Sequence, residues 1–453
     1  MQHITIKKLG PVDFFSMDIK QYNFFIGDQA TGKSTIAKAI YFCRNYKSVL
    51  KEALNDIYDN GTYMGIRIDT PKRLIRKIRN EVKSQFINFF GYSWDLDQEM
   101  SIQYDFILNK IWIKVDIKRT KYAKTSRQYI NLIYSKVLSE KINNVINEVM
   151  ELYKNKDVDT DTLNLNSKEH RRVRSSISEK VNEIFDDYEE TYYIPAGRSM
   201  LALLSKGDLS LMGNSLDYVT CHFITLINSI RNNFINGIYR ILDFVDDESK
   251  RVYSSAAQLI IDILKADYYV SPDKEYISIE SKSRKSRIPL NFASSGQQEC
   301  LWLLNLLYIL LLRKEKGFII IEEPEAHMYP TQQYKILKFI SYFSNETGSN
   351  VLITTHSPYF LNALNTLYIA GSSIIRNNAE LKKKVEGVVG GNYFVEENSL
   401  QAYKIQLLNS ESLLDMNEGE LKTEMIDEVS NEIIADYMKI YNLISEIREK
   451  EDE

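Results

Sequence analysis

The sequence predicts an α/β fold with an antiparallel β portion and a helical insertion, and three observations carry that prediction. Residues 22–42 read as a buried strand, a glycine-bearing loop and a helix. Two later apolar runs, Phe318-Ile319-Ile320-Ile321 and Val351-Leu352-Ile353, read as buried strands, each ending in a polar tip. Residues 46–190 are mostly charged and helical in pattern, broken by two alternating segments around residue 109.

In order along the chain, Ile4-Thr5-Ile6 and Phe14 to Ile19 flank Gly10-Pro11 and read as strand, turn and strand before the loop strand Tyr22 to Ile26. A helix then runs to about Leu54, followed by a helical stretch crowded with Lys72, Arg73, Arg76, Lys77, Arg79 and Lys83. Ser101 to Phe106 and Ile111 to Ile117 alternate around Asn109-Lys110 and predict a hairpin within 100–118. A basic loop (Lys118, Arg119, Lys121, Lys124, Arg127) leads to an expected long helix at about 129–154, a polar break at 157–167 and a second amphipathic segment at about 168–190. Tyr192-Tyr193-Ile194-Pro195-Ala196-Gly197-Arg198 is a short strand ending in Pro, Gly and an arginine. Residues 201–265 look helical, 267–291 form strands, and the tail, including Met425 to Ser430 and Ile433 to Tyr437, is charged and helical. The expected division is a head at 1–45 and 190–375 that owns the hairpin, a mostly helical insertion at 46–190, and a C-terminal helical segment at 376–453.

Composition sets limits on function. A length of 453 residues favours more than one lobe, and 57 Lys+Arg against 61 Asp+Glu gives no global electrostatic case for nucleic acid. Cys43, Cys221 and Cys300 stand too far apart for a zinc motif or a disulfide framework, which fits a reducing cytoplasm. The first residues lack a signal-peptide core, and the longest apolar run, Leu301 to Leu312, is too short to span a bilayer and reads as a buried helix.

The chemistry concentrates at strand tips. Gly27-Asp28-Gln29-Ala30-Thr31-Gly32-Lys33-Ser34-Thr35 matches G-x-x-x-x-G-K-[ST] where a strand hands over to a helix, the context a phosphate-binding loop requires. Its glycines let the backbone bend around an anion, the amides of Thr31 to Thr35 face the phosphates, Lys33 reaches the β and γ positions, and Ser34 is placed to ligate Mg²⁺. Glu322 and Glu323 end the 317–323 strand, with Glu322 expected to hold Mg²⁺ and Glu323 to orient or deprotonate water. A helix start with favourable acids would explain the same pair. His356 follows the 351–355 strand as a candidate γ-phosphate contact or an ordinary loop histidine. Ser294-Ser295-Gly296-Gln297 precedes the apolar helix, as an anion-binding helix start or a plain N-cap.

Together these segments resemble the ABC-type ATPase head of the SMC, RecF and OLD-like group, often described as AAA-type ATPases. The resemblance runs from residue 1 to about 370 and rests on the phosphate loop, Ser294 to Gln297 as signature, Ile319 to Glu323 as acid strand, His356 as switch histidine, and the wording Glu322 to Pro330 and Thr355-His356-Ser357-Pro358. It implies ATP and Mg²⁺ as cofactors, hydrolysis to ADP and phosphate, and heads that pack head to tail so that each signature closes over the other's nucleotide. Glu325 to Pro330 would then lie at the dimer seam. The signature reads Ser-Ser-Gly-Gln where Ser-Gly-Gly-Gln is usual, the magnesium acid is Glu where transporter-type heads use Asp, and no Q-loop is placed among Gln85, Gln103 and the strand ending at Arg198. Arg198 itself reads as a surface salt bridge, or as a contact to phosphate or a neighbouring chain.

There is no long coiled coil and no room for a Toprim nuclease after His356. Compact ATPases of this kind resemble the ATPase subunits of bacterial anti-phage systems such as Septu and PARIS. That implies a cytoplasmic sensor or scaffold working as a homo-oligomer with a protein effector such as a nuclease, with nucleic acid not required and no membrane. Two other readings are a RecF-like repair ATPase gripping duplex phosphates through Lys72 to Lys83, Lys114 to Arg127 and Arg171 to Arg174, and a nucleotide-gated assembly module with negligible hydrolysis.

Overall fold

The computed structural model describes residues 1–91, 99–119, 128–155, 168–202, 216–244, 246–271, 274–281, 284–415, 419–423 and 438. The expected polar break at 157–167, the basic-loop residues Lys121, Lys124 and Arg127, and the tail segments 425–430 and 433–437 lie outside the described residues.

Strands β1 (His3–Leu9), β2 (Val12–Asp18) and β3 (Tyr22–Ile26) lead into helix α1 (Lys33–Asn60), which runs a turn and a half beyond Leu54 before Gly61 stops it in the left-handed region. The short pair β4 (Thr62–Tyr63) and β5 (Ile66–Arg67) and helix α2 (Pro71–Phe90), capped by the Thr70 side chain, follow. Next come β6 (Ser101–Ile107), β7 (Ile111–Arg119) and β8 (Gln128–Tyr134), then α3 (Lys136–Lys154) and α4 (Lys168–Phe185). The helix expected at 129–154 is therefore a strand and a helix. Leu132 and Tyr134 alternate into the core as β8 pairs with β7, and Ser135 turns the chain by accepting a hydrogen bond from Leu138 N–H.

The rest of the chain supplies β9 (Glu190–Ile194), α5 (Tyr218–Ile230), α6 (Asp247–Leu264), β10 (Asp267–Val270), β11 (Glu275–Ser281), β12 (Arg284–Pro289) and α7 (Ser295–Leu312). Then follow β13 (Gly317–Glu322), α8 (Pro330–Thr347), β14 (Asn350–Thr355), α9 (Pro358–Ala370), α10 (Ser373–Arg376), α11 (Ala379–Val389), β15 (Leu400–Gln406) and β16 (Asn409–Ser412). Here the C-terminal reading needs correction, because among the described residues of 376–453 the stretches Leu400–Gln406 and Asn409–Ser412 are strands. Leu400, Ala402 and Ile405 are buried, and β15 lies parallel to β3 with Leu400 opposite Tyr22 and Lys404 opposite Ile26.

Two sheets organise the molecule. An antiparallel sheet has the order β2-β1-β6-β7-β8, and a central sheet has the order β16-β15-β3-β14-β13-β9, parallel from β15 to β9. Both faces of the sheet are covered at its centre, which is why β3, β13 and β14 are buried along nearly their whole length rather than alternating. Ile319 and Ile321 face the core that contains α7, whereas Phe318, Ile320 and Leu352 face the core around α1. Helix α7 is apolar all round because Cys300 to Leu311 is buried on every side. This is the expected α/β P-loop head, with its antiparallel β subdomain and a helical insertion. Among the described residues no helix is long and apolar enough to cross a membrane.

The placement of β15 has a direct test. Burying Leu400 and Ile405 stabilises the sheet by roughly 3–6 kcal/mol, and their strand also covers the edge of β3. A chain ended before Leu400 is expected to melt lower and to aggregate, measured by thermal unfolding and soluble yield. Unchanged melting would show that β15 contributes nothing to the head.

Candidate nucleotide site

The parallel register brings four strand ends to one edge of the central sheet, where α/β folds place ligands. Ile26 pairs with Thr355, Thr354 with Glu322, and Ile321 with Ile194, so the loops after β3, β14, β13 and β9 stand side by side. One cavity of about 880 Å³ is lined by Gln29 to Thr35, Glu323, Glu325 and His356.

The loop is built for an anion. Helix α1 starts at Lys33 with no side chain capping its first amides, leaving N–H groups at the positive end of a helix of 28 residues. Gly32 has φ 106°, and a Cβ there would come 2.7 Å from Val12 Cγ2. At Gly27 a Cβ would sit 2.1 Å from the Ile405 carbonyl oxygen, so β15 fixes the root of the loop. Lys33 Nζ donates to Gly27 O at 2.9 Å and Asp28 O at 2.7 Å, and lies 3.3 Å from His356 Nδ1. Burial lowers its pKa, against the opposing pull of Glu323, Asp28 and Glu325.

His356 Nε2 lies 3.3 Å from Glu323 Oε1. A lysine beside Nδ1 can only donate, which assigns the ring proton to Nε2, facing the carboxylate. Lys33, His356 and Glu323 thus form a polar chain across the cavity. Glu323 is held in the left-handed region at φ 43°, a conformation that costs a non-glycine residue about 1–2 kcal/mol. Its N–H donates to Thr354 O at 2.8 Å, and its carbonyl accepts from Arg198 Nη2 at 2.9 Å.

Glu322 does not line the cavity. It is buried at the end of β13, where Oε2 accepts from Ala196 N–H at 3.2 Å and Oε1 has no well-formed hydrogen bond. Tyr193 is its neighbour, and burial together with the Glu322 charge holds that phenol un-ionised.

Ser294 to Gln297 also lie outside this cavity. Ser294 Oγ accepts from Gln297 N–H at 3.3 Å while Gln297 Oε1 accepts from Ser294 N–H at 3.1 Å, so the capping box is formed. Ser294 and Ser295 are exposed, and Gly296 abuts the turn after β13, where a Cβ would meet Met328 Sδ at 2.7 Å and His327 O at 2.8 Å.

Arg198 departs most from expectation. It is 1% exposed, so it is no surface salt bridge. Nη1 donates to Pro195 O at 2.8 Å and Glu322 O at 2.6 Å, and Nε donates to Glu299 O at 2.7 Å. The Glu299 carboxylate in turn accepts from Arg198 N–H at 2.9 Å and Ser199 N–H at 3.0 Å. One side chain therefore joins the β9 loop, the acid pair and helix α7.

Sequence reasoning also missed Glu325 and Gln333 as supports. Buried Glu325, its pKa raised by desolvation, accepts from the Thr355 hydroxyl and from His356 N–H at 3.0 Å. Gln333 donates to Met328 O at 2.9 Å and accepts from Ser357 Oγ at 2.6 Å. The available signal was their position just after the acid strand, which says nothing about which neighbours they meet.

The family described as AAA ATPase domain matches residues 1–361. Among solved structures, an SMC head bound to the C-winged helix domain of ScpA is 9% identical over 92% of this chain and 98% of that chain, with TM-score 0.39. The SMC head domain from Thermotoga maritima is 9% identical over 91% and 98%, with TM-score 0.34. An SMC head with an extended coiled coil, bound to the C-terminal domain of ScpA derived from Pyrococcus furiosus, is 12% identical over 96% and 100%, with TM-score 0.34. No curated protein matches the chain.

Proposed function

The chain belongs to the AAA ATPase domain family, and from that premise we propose that it binds and hydrolyses MgATP in a head-to-tail oligomer. The carrying observation is the convergence of the phosphate loop, Glu323 and His356 on one cavity, joined by the Lys33–His356–Glu323 chain.

In this reading the phosphates take the α1 amides and the Lys33 ammonium, which exchanges its loop carbonyls for the β and γ oxygens. Ser34 would hold Mg²⁺ in the cavity, and Glu322, buried just outside it, would reach the ion through water. The metal, when bound, neutralises charge developing on the phosphates. Glu323 takes the proton of the attacking water, and His356 faces the γ-phosphate.

Because Ser294 and Ser295 are exposed and outside their own chain's cavity, a signature role falls to a second copy. Phe292 and Tyr329, 75% and 74% exposed beside the signature and the 325–328 turn, suit burial between copies. The output is a change of assembly passed to a partner effector in anti-phage defence, a role that rests on the family resemblance and the compact architecture.

Complementation tests the head-to-tail arrangement. Lys33→Ala and Ser294→Arg should each be inactive alone, and mixing them should restore part of the phosphate release, because a mixed pair keeps one intact loop facing one intact signature. Restoration would fail if each chain's site is complete in itself. Adding DNA in this assay checks the repair alternative, which predicts stimulation that falls steeply with salt.

A further inference from the structure

Two buried polar atoms beside the acid pair lack the partners their chemistry demands. Tyr193, on β9, is 1% exposed, and neither its hydroxyl nor Glu322 Oε1 has a well-formed hydrogen bond. An orphaned buried polar group costs about 1–3 kcal/mol, and a charged one costs more. The backbone puts both on one face of the sheet. Tyr193 pairs with Ile320 across the parallel β9–β13 ladder, and Glu322 lies two residues beyond Ile320, so both side chains leave the side that faces the α1 core.

The phenol is packed from behind. Its ring lies on Tyr41 with centroids 5.2 Å apart, and the Tyr41 hydroxyl is itself engaged, 3.0 Å from His222 Nδ1. Burial first, and the Glu322 charge next, keep the Tyr193 phenol protonated, so toward a carboxylate it acts as a donor. The other carboxylate oxygen is already served, because Oε2 accepts from Ala196 N–H at 3.2 Å. Arg198 Nη1 holds the Glu322 carbonyl at 2.6 Å. Tyr192 cannot stand in for its neighbour, since it packs against the opposite core and donates to Glu315.

We propose that Tyr193 is a positioning residue for the metal acid, its O–H donating to Glu322 Oε1 while Ala196 N–H holds Oε2. The inference rests on the MgATP reading given above and adds to it the group that aims Glu322. One donor on each oxygen fixes the plane of the carboxylate and leaves its remaining lone pairs for the water through which Glu322 meets the ion. Partners that orient a metal acid in this way are worth about 10–100-fold in metal affinity. Strand β9 and the loop after it therefore supply both supports.

Calorimetry on the full chain measures ATP affinity as free Mg²⁺ is raised from an EDTA-buffered start. In the wild-type protein Mg²⁺ should tighten ATP binding. Tyr193→Phe keeps the ring, and should raise the Mg²⁺ concentration giving half of that gain about tenfold while metal-free ATP affinity stays within about twofold. Tyr41→Phe removes a hydroxyl from the same ring pair without reaching the acid, and should leave the Mg²⁺ midpoint unchanged. In a Glu322→Gln background Tyr193→Phe should add nothing, because the two side chains act as one unit. An unmoved midpoint in Tyr193→Phe overturns the proposal. So does an equal shift in Tyr41→Phe, which makes the ring pair structural, and so do additive losses in the double variant. Should wild-type ATP binding ignore Mg²⁺ altogether, the MgATP reading falls and the role of Tyr193 with it, a result separate from an unmoved midpoint in a protein that responds to the ion.

Discussion

Replacing Glu323 with Gln should lower ATP hydrolysis by about 10²–10³-fold while ATP affinity stays within about twofold. Glutamine is isosteric and keeps the left-handed backbone that Thr354 O and Arg198 hold from either side, so the loss isolates proton acceptance from shape. The amide can still meet His356 Nε2–H through its oxygen, so the polar chain to Lys33 survives. A nucleotide-held oligomer should therefore outlive its wild-type counterpart. Steady-state phosphate release and solution mass with MgATP check both parts. A turnover within about threefold of wild type would move the base elsewhere, and an assembly lifetime that did not change would favour a module whose output is nucleotide binding alone.

Arg198 predicts a second large effect, with stability and rate separable by choice of variant. Arg198→Met removes the donors to the carbonyls of Pro195, Glu299, Glu322 and Glu323 and leaves the Glu299 carboxylate without its charge partner. Breaking one side of a buried ion pair costs about 3–5 kcal/mol, comparable to the total stability of many domains. The expected result is a large fall in denaturant midpoint or loss of folded protein. Arg198→Lys keeps the charge but cannot span the same carbonyls, since one ammonium replaces a planar fork. It should fold, bind ATP normally, and turn over about 10–100-fold more slowly as Glu323 shifts from its place. Normal turnover in Arg198→Lys would reduce the residue to a structural tie. The side chain is a positioning residue, because it reaches Glu323 through a backbone carbonyl.

Buried charge recurs under the phosphate helix. Arg44 meets Asp187 at 3.0 Å, and Lys47 donates to the carbonyls of Asp187 at 2.8 Å and Glu189 at 2.6 Å. Burial pushes the Lys47 ammonium down to about 8 despite the pull of Asp187. These contacts join α1 to the approach of β9, the strand that delivers Arg198. The helix that begins at Lys33 is thereby connected to the loop that holds the acid pair.

The sequence by itself determined the parts written in consecutive residues. Gly27 to Thr35 specifies a loop because its glycines, lysine and hydroxyls act within one turn of backbone, and the flanking apolar runs place it between strand and helix. Apolar β-branched stretches ending in Glu322-Glu323 or His356 likewise declare buried strands with reactive tips, and the 101–117 alternation declares a hairpin. Tertiary structure alone decided what depends on residues far apart in the chain. Leu400 to Gln406 reads as part of a charged tail until the uncovered edge of β3 offers it a ladder. Arg198 reads as a surface residue until β9, β13 and α7 surround its guanidinium with four carbonyls. In each case the local pattern leaves several neighbours equally compatible, and the free energy that selects one is the burial and hydrogen bonding available only after the sheet has assembled.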